Sequence, residues 1–119
     1  MVSSRGISLK KKISFQKGTA RLTADGRLVL ADVAKGLKRV KTIKRVRIAA
    51  HASTKGSRAA NMKLSNERAR VVKKYLSGAG IAASRLQARG YGAEKPIGPN
   101  ITARGRARNN RVNLVVLGR

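Results

Sequence analysis

Val46-Arg47-Ile48-Ala49-Ala50-His51, followed by Ala52-Ser53-Thr54-Lys55-Gly56 and then by Asn61-Met62-Lys63-Leu64-Ser65-Asn66-Glu67-Arg68-Ala69, is the stretch on which the fold turns. Its first part alternates, with Val46, Ile48 and Ala50 on one side and Arg45, Arg47 and Ala49 on the other. Period two over this length is a strand with one buried face. Residues 52 to 58, polar and containing Gly56, read as a loop. From Asn61 to Leu76 the apolar positions Leu64, Ala69, Val72 and Leu76 fall at helical spacing, with Val71 and Tyr75 widening the stripe, and Ser77-Gly78-Ala79-Gly80 supplies the stop. The centre of the chain is therefore strand, loop and amphipathic helix.

Working outward, Leu30, Val33, Ala34 and Leu37 at i, i+3, i+4 and i+7 predict a helix over 24 to 39, with Thr23 or Asp25 as its N-cap. Its outer face carries Arg27, Lys35, Lys38 and Arg39. Before it, Ile7, Leu9, Ile13 and Phe15 alternate as a strand interrupted at Lys11, and Gln16 to Ala20 forms a polar connection. After the central helix come a short strand at Leu86 to Ala88, a Gly90-Tyr91-Gly92 turn and a closing strand over Asn110 to Leu117, with Val112, Leu114 and Val116 facing one way. The order β-α-β-α-β-β predicts an α+β chain, a two-layer sandwich of α/β type whose helices cover one face of a mixed sheet. The 119 residues make one domain, with its core at about 7 to 117.

Charge is the unusual feature. There are 29 Lys and Arg against 4 Asp and Glu, a formal net charge of +25, yet 41% of the chain is hydrophobic, so the core is that of an ordinary domain. The acids are Asp25, Asp32, Glu67 and Glu94, the only histidine is His51, and there is no cysteine. Carboxylate pairs, two-metal chemistry and Ser-His-Asp triads need groups this chain hardly has, and Ser53 has no base to activate it. The expectation is a binding protein, not an enzyme, without metal or cofactor. No window approaches the roughly 20 apolar residues of a membrane span. Met1 to Ile13 holds no signal-peptide run.

The densest basic run is Arg104 to Arg111. It reads either as a solvated loop or, through Arg104, Arg106, Arg108 and Arg111 together with Lys73 and Lys74, as a surface for nucleic acid or other polyanions. Such binding would be non-specific and would fall with salt. Phe15, Tyr75 and Tyr91 are the only aromatics, and the first two are expected in the core, so no stacking platform for single strands is evident.

In the central segment, joined by Gly80-Ile81, Arg85-Leu86, Gly90-Tyr91-Gly92, Pro96-Ile97, Asn100 and Gly105-Arg106-Ala107-Arg108-Asn109-Asn110-Arg111-Val112, the chain resembles the OmpA-like C-terminal domain. That module occurs in outer-membrane porin tails, peptidoglycan-associated lipoproteins and flagellar stator proteins. The resemblance runs from about Ile7 to Leu117 and implies non-covalent attachment to peptidoglycan. In the family a loop Asp takes the ammonium of a diaminopimelate side chain and a helix Arg takes a carboxylate of the same zwitterion. It also implies a periplasmic or outer-membrane-associated setting, for which this chain would be a trimmed domain.

Carried over residue by residue, the resemblance places the Arg at Arg68, the helix Asn at Asn61, the loop Gly at Gly56 and the strand-end His at His51. The Asp position holds Ser53, and the Thr beside it is Ala52. The acidic or other polar residue common in the family near Ala49 and the Glu often found at the position of Asn113 are absent too, and its Arg is replaced at Asn110. Serine brings no charge to an ammonium, and a buried charge left without its partner costs about 2 to 5 kcal/mol. Selective diaminopimelate binding is therefore expected to be weakened. The second reading is an acid-depleted, supercharged scaffold, engineered or selected, that binds polyanions without specificity. For His51 a structural role stands beside ligand contact, and for Arg68 pairing with Glu67 or capping of a loop stands beside carboxylate binding.

Overall fold

A computed structural model describes residues 2–3, 6–9, 11–53 and 56–118. Thr54 and Lys55 of the expected loop, and Lys10 of the expected first strand, lie outside the described residues.

Thr23 opens the first helix, α1 (Ala24–Arg39), because its hydroxyl accepts from Gly26 N at 3.0 Å, with Asp25 in the first turn and Lys38 and Arg39 in the last. The inward stripe of Leu30, Val33, Ala34 and Leu37 is buried as its spacing requires. The second helix, α2 (Arg58–Gly78), begins three residues before the expected start because the Ser57 hydroxyl accepts from Ala60 N at 3.0 Å. Asn61, Ser65, Arg68, Ala69, Val72 and Leu76 form its buried face. Only the last three are apolar or small in the ordinary core sense.

Strand β3 (Arg45–His51) runs through the middle of a three-stranded sheet of order β4-β3-β5. β4 (Leu86–Gly90) pairs parallel to it, from Val46↔Leu86 to Ala50↔Gly90, and β5 (Arg111–Gly118) pairs antiparallel, ending at His51↔Arg111. The parallel pair is joined through α2, the long crossover that such a pair requires. Val46, Ile48 and Ala50 enter the core as the alternation predicts. Ala49, expected on the open side, is also buried, since its register neighbours are the longer Arg89 and Asn113. Leu30 and Leu37 from α1, Val72 and Leu76 from α2, Ile48 from β3, and Ile13, Ile43 and Ile81 from connections fill one cluster. Each such side chain contributes about 1.5 to 3 kcal/mol by leaving water.

Two sequence expectations change. The run Ile7 to Phe15 is not one strand: β2 (Gly6–Ile7) pairs antiparallel with β1 (Val2–Ser3), and Phe15 makes only an isolated bridge to Leu22. Lys11 and Lys12 are exposed between them, so the alternation does not carry through. The basic run after Ile101 is not a loop but a short helix, α3 (Ala103–Asn109), capped by the Thr102 hydroxyl accepting from Gly105 N at 2.9 Å.

At the end of β4, Gly90 sits directly on α2. Its N–H donates to Asn66 Oδ1 at 3.0 Å, and an added Cβ would meet Ser65 Oγ at 2.6 Å. Glycine is there because no side chain fits. Among the described residues no helix is long and apolar enough to cross a membrane.

Candidate functional site

The sheet and α2 leave a cleft of about 420 Å³ where four chain segments meet. One wall is residues 12–18, ahead of α1; another is Ala52 and Ser53, just beyond β3. Asn61, Leu64 and Arg68 of α2 form a third, and Ala107, Asn110, Arg111 and Val112, from α3 into β5, complete it. Two other hollows, of about 520 and 550 Å³, lie along α1 and beside Lys38, Lys41, Lys44 and Arg85. Neither gathers the residues expected to bind, so the smaller cleft is the candidate.

Asn61 and Arg68 are seven residues apart, two turns of α2, which puts both on the face that looks into the cleft. Arg68 is only 8% exposed. Its Nε donates to Thr19 O at 2.8 Å, and its Cζ lies 4.9 Å from the Phe15 ring centroid. The terminal nitrogens of this guanidinium make no hydrogen bond among the described residues. Burial disfavours its charged form and pushes its pKa down. A group in this state gains most from an incoming carboxylate, whose two oxygens match the guanidinium fork. Capping of a loop and availability to a ligand therefore coexist in Arg68. Pairing with Glu67 does not: Arg58–Glu94, at 2.8 Å, is the ion pair among the described residues.

Ser53 is buried at the cleft wall, where its backbone N–H donates to Asn110 Oδ1 at 3.1 Å. Gly56 has φ +94, a left-handed backbone that favours glycine, and its missing side chain leaves it beside Asn61 Oδ1. Ser53, Asn61 and Arg68 thus meet in one place, with Gly56 shaping the loop next to it.

His51 does not line the cleft. It is buried, stacked on Tyr91 at 4.9 Å between centroids and 7° between planes, and its Nδ1 has no hydrogen-bond partner among the described residues. Burial first, then Arg111 and Lys95, lower its pKa to about 4, so the ring is neutral at pH 7. Tyr91 is accordingly the most buried of the three aromatics, whereas Phe15 and Tyr75, expected in the core, pack against it half-buried.

Sequence reasoning did not place Lys12, Asn110 or Arg111 in this site. Arg111, expected on a polyanion-binding surface, is half-buried in the cleft, donates to Lys95 O at 3.0 Å and keeps a buried Nε without a partner among the described residues. Lys12 donates to Ala107 O at 2.8 Å, and its pKa is pushed down by burial of the ammonium and by repulsion from Arg68. The antiparallel register of β3 with β5 sets His51 opposite Arg111 and so brings the latter to the cleft. Arg104 and Arg108 lie exposed on α3, Arg106 donates to Asn100 O at 3.0 Å, and Lys73 and Lys74 lie on α2 away from the cleft. Among the described residues no group of three or more His, Asp or Glu could hold a metal ion.

Known proteins resemble this chain in sequence and fold. The chain is 35% identical over 108 residues to the outer-membrane lipoprotein YfiB of Pseudomonas aeruginosa, covering 91% of this chain and 64% of that protein. It is 40% identical over 72 residues to the peptidoglycan-binding protein ArfA of Mycobacterium tuberculosis, covering 60% of this chain and 22% of that one. The chain thus spans less than two thirds of the length of the curated relatives it matches. The solved structure of the cell wall anchor of the T6SS from Pseudomonas aeruginosa superposes with a TM-score of 0.79 at 29% identity, over 90% of this chain and 76% of that one. The family model described as "OmpA family" matches residues 14–110, which include the Ser53, Asn61 and Arg68 walls of the cleft, and the chain belongs to the OmpA family.

Proposed function

We propose that the cleft is a non-catalytic peptidoglycan-binding site in which Arg68 takes a carboxylate of the stem peptide. The observation that carries this reading is the Arg68 guanidinium: buried, braced by Thr19 and Phe15, with terminal nitrogens that make no hydrogen bond among the described residues, in the wall of a cleft that Asn61 and Ser53 also line. Holding a ligand requires no nucleophile, base or metal, and the cleft offers none. The relative named for peptidoglycan binding and the solved cell wall anchor support the same assignment, and with it a place at the cell envelope. Ser53, where the family has an acid, leaves the ammonium of diaminopimelate without a counter-charge, and binding of the free zwitterion is weakened accordingly.

A second, weaker mode accompanies it. The exposed cations of α3 and α2, including Arg104, Arg108 and Lys74, adhere to nucleic acid and other polyanions without specificity. Contacts of that kind are screened by salt, whereas a buried guanidinium is screened much less.

Sedimentation with purified sacculi separates the two. At about 0.5 M salt, where the Debye length is only a few ångström, wild-type protein is expected to remain bound and Arg68→Ala to be released. Equal binding by both proteins at low salt and by neither at high salt would reduce the site to surface adhesion.

A further inference from the structure

The cleft has a single sign of charge. Lys12, Lys17, Arg68 and Arg111 line it, and among the described residues no carboxylate does: Asp25 and Asp32 are on α1, Glu67 lies on α2 outside the lining, and Glu94 pairs with Arg58. Two of these cations are incompletely satisfied, Arg68 at its terminal nitrogens and Arg111 at its buried Nε. The remaining polar walls are neutral, the Ser53 hydroxyl and the amides of Asn61 and Asn110. An ammonium entering this space would face cations on several sides and find only neutral acceptors. A neutral N–H would find the same acceptors without the repulsion.

We propose that the cleft selects a dicarboxylate whose side-chain nitrogen is uncharged because it is acylated, the chemistry of a cross-linked stem-peptide residue, over the same residue with a free amine. This rests on the peptidoglycan reading above and names which form of the polymer the site takes. One carboxylate meets Arg68, a second lies within the field of Arg111 and Lys12, and the amide N–H donates to Ser53 Oγ or Asn61 Oδ1. Burial weakens the charged form of Arg68, burial and repulsion from Arg68 weaken that of Lys12, and a dianion relieves both. The bound ligand therefore satisfies the cleft only if it brings no positive charge of its own.

The test is calorimetric titration, in about 0.15 M salt to screen the outer surface, with two synthetic stem tripeptides. They differ only in whether the side-chain amine of diaminopimelate is free or acetylated, and pimelate serves as a dicarboxylate without nitrogen. The acetylated peptide is expected to bind at least about tenfold more tightly than the free one, since like charges brought together at a binding site cost several kcal/mol. Arg68→Ala should abolish this binding, and Ser53→Asp should invert the preference. Equal or tighter binding of the free amine by wild-type protein overturns the selectivity while leaving the peptidoglycan reading in place. Binding of neither peptide overturns both. Pimelate binding as tightly as the acetylated peptide overturns the role of the amide, because the cleft would then be reading two negative charges and nothing else.

Discussion

Arg68 lies over Phe15, with its Cζ 4.9 Å from the ring centroid, while its Nε is tied to Thr19 O at 2.8 Å. The ring comes from the segment before α1 and the guanidinium from nearly three turns into α2, so one contact joins two walls of the cleft. A long arginine side chain has many rotamers, and fixing it in advance reduces what a ligand must order on binding.

Phe15→Ala therefore should weaken binding to sacculi by about 2- to 30-fold, from loss of a cation–π contact of about 0.5 to 2 kcal/mol. Charge in the cleft is unchanged by this substitution, so electrostatic adhesion at low salt should be unaffected. Binding isotherms at low and high salt check the pair of outcomes. An unchanged affinity at high salt would mean that Thr19 alone positions Arg68.

His51 supplies a pH dependence whose sign is fixed by its environment. Its pKa in the folded protein is lowered to about 4 from 6.5, so between these values the unfolded chain takes up a proton that the folded one refuses. Stability is full above pH 6.5, declines as pH falls toward 4, and loses at most about 1.4 kcal/mol per pH unit from this group. The cause is burial against Tyr91, with Arg111 and Lys95 opposing the added charge. His51→Phe keeps a ring to stack on Tyr91 and removes the titration. Urea midpoints at several pH values should show the wild-type slope flattened in the variant, while any carboxylate contribution stays common to both.

The fold was legible wherever apolar side chains carried the information. The limits of α1 at 24 to 39 follow from Leu30, Val33, Ala34 and Leu37 and from the Thr23 cap. By contrast α3 has Gly105 and Asn109 on its buried side, so no hydrophobic period announces it. The motif at Ser53, Asn61 and Arg68 identified half of the cleft. The other half, Lys12, Asn110 and Arg111, comes from segments far away in sequence: the β3–β5 register brings Arg111 beside His51, and the Ala107 carbonyl of α3 holds Lys12. A sequence count of acids could say that charge was unbalanced, but only the structure shows that the imbalance includes the interior of the cleft.

Self-repulsion among the surface cations sets a further expectation. With 29 Lys and Arg against 4 acids and the Arg58–Glu94 pair exposed, added salt should screen more repulsion than attraction. The thermal midpoint should rise as sodium chloride goes from about 0.05 to 0.5 M, the range over which the Debye length falls below typical surface spacings. Over the same range the affinity for single-stranded nucleic acid should fall steeply. Differential scanning fluorimetry and fluorescence anisotropy measure the two trends, and a midpoint that falls with salt would contradict the assignment of repulsion as the dominant surface term.

Asn109 links stability to the site. It is fully buried, its Oδ1 accepts from Ile97 N at 2.7 Å and Gly98 N at 2.8 Å, and its Nδ2 donates to Gly98 O at 2.9 Å and Asn100 Oδ1 at 2.7 Å. One side chain thereby fastens residues 97–100 to α3, whose Ala107 carbonyl holds Lys12 and whose end leads into Arg111. Asn109→Ala leaves several buried backbone groups unpaired, each worth about 1 to 3 kcal/mol. A loss of about 2 to 4 kcal/mol in denaturant unfolding is expected, because water reaches some of the released groups. Asn109→Leu, similar in size but unable to hydrogen-bond, should be no better, which separates the polar role from packing. Both variants should also bind sacculi less tightly at high salt, since Lys12 and Arg111 lose the element that positions them. Weakened stability with unchanged affinity would show that the cleft is held by β5 without help from α3.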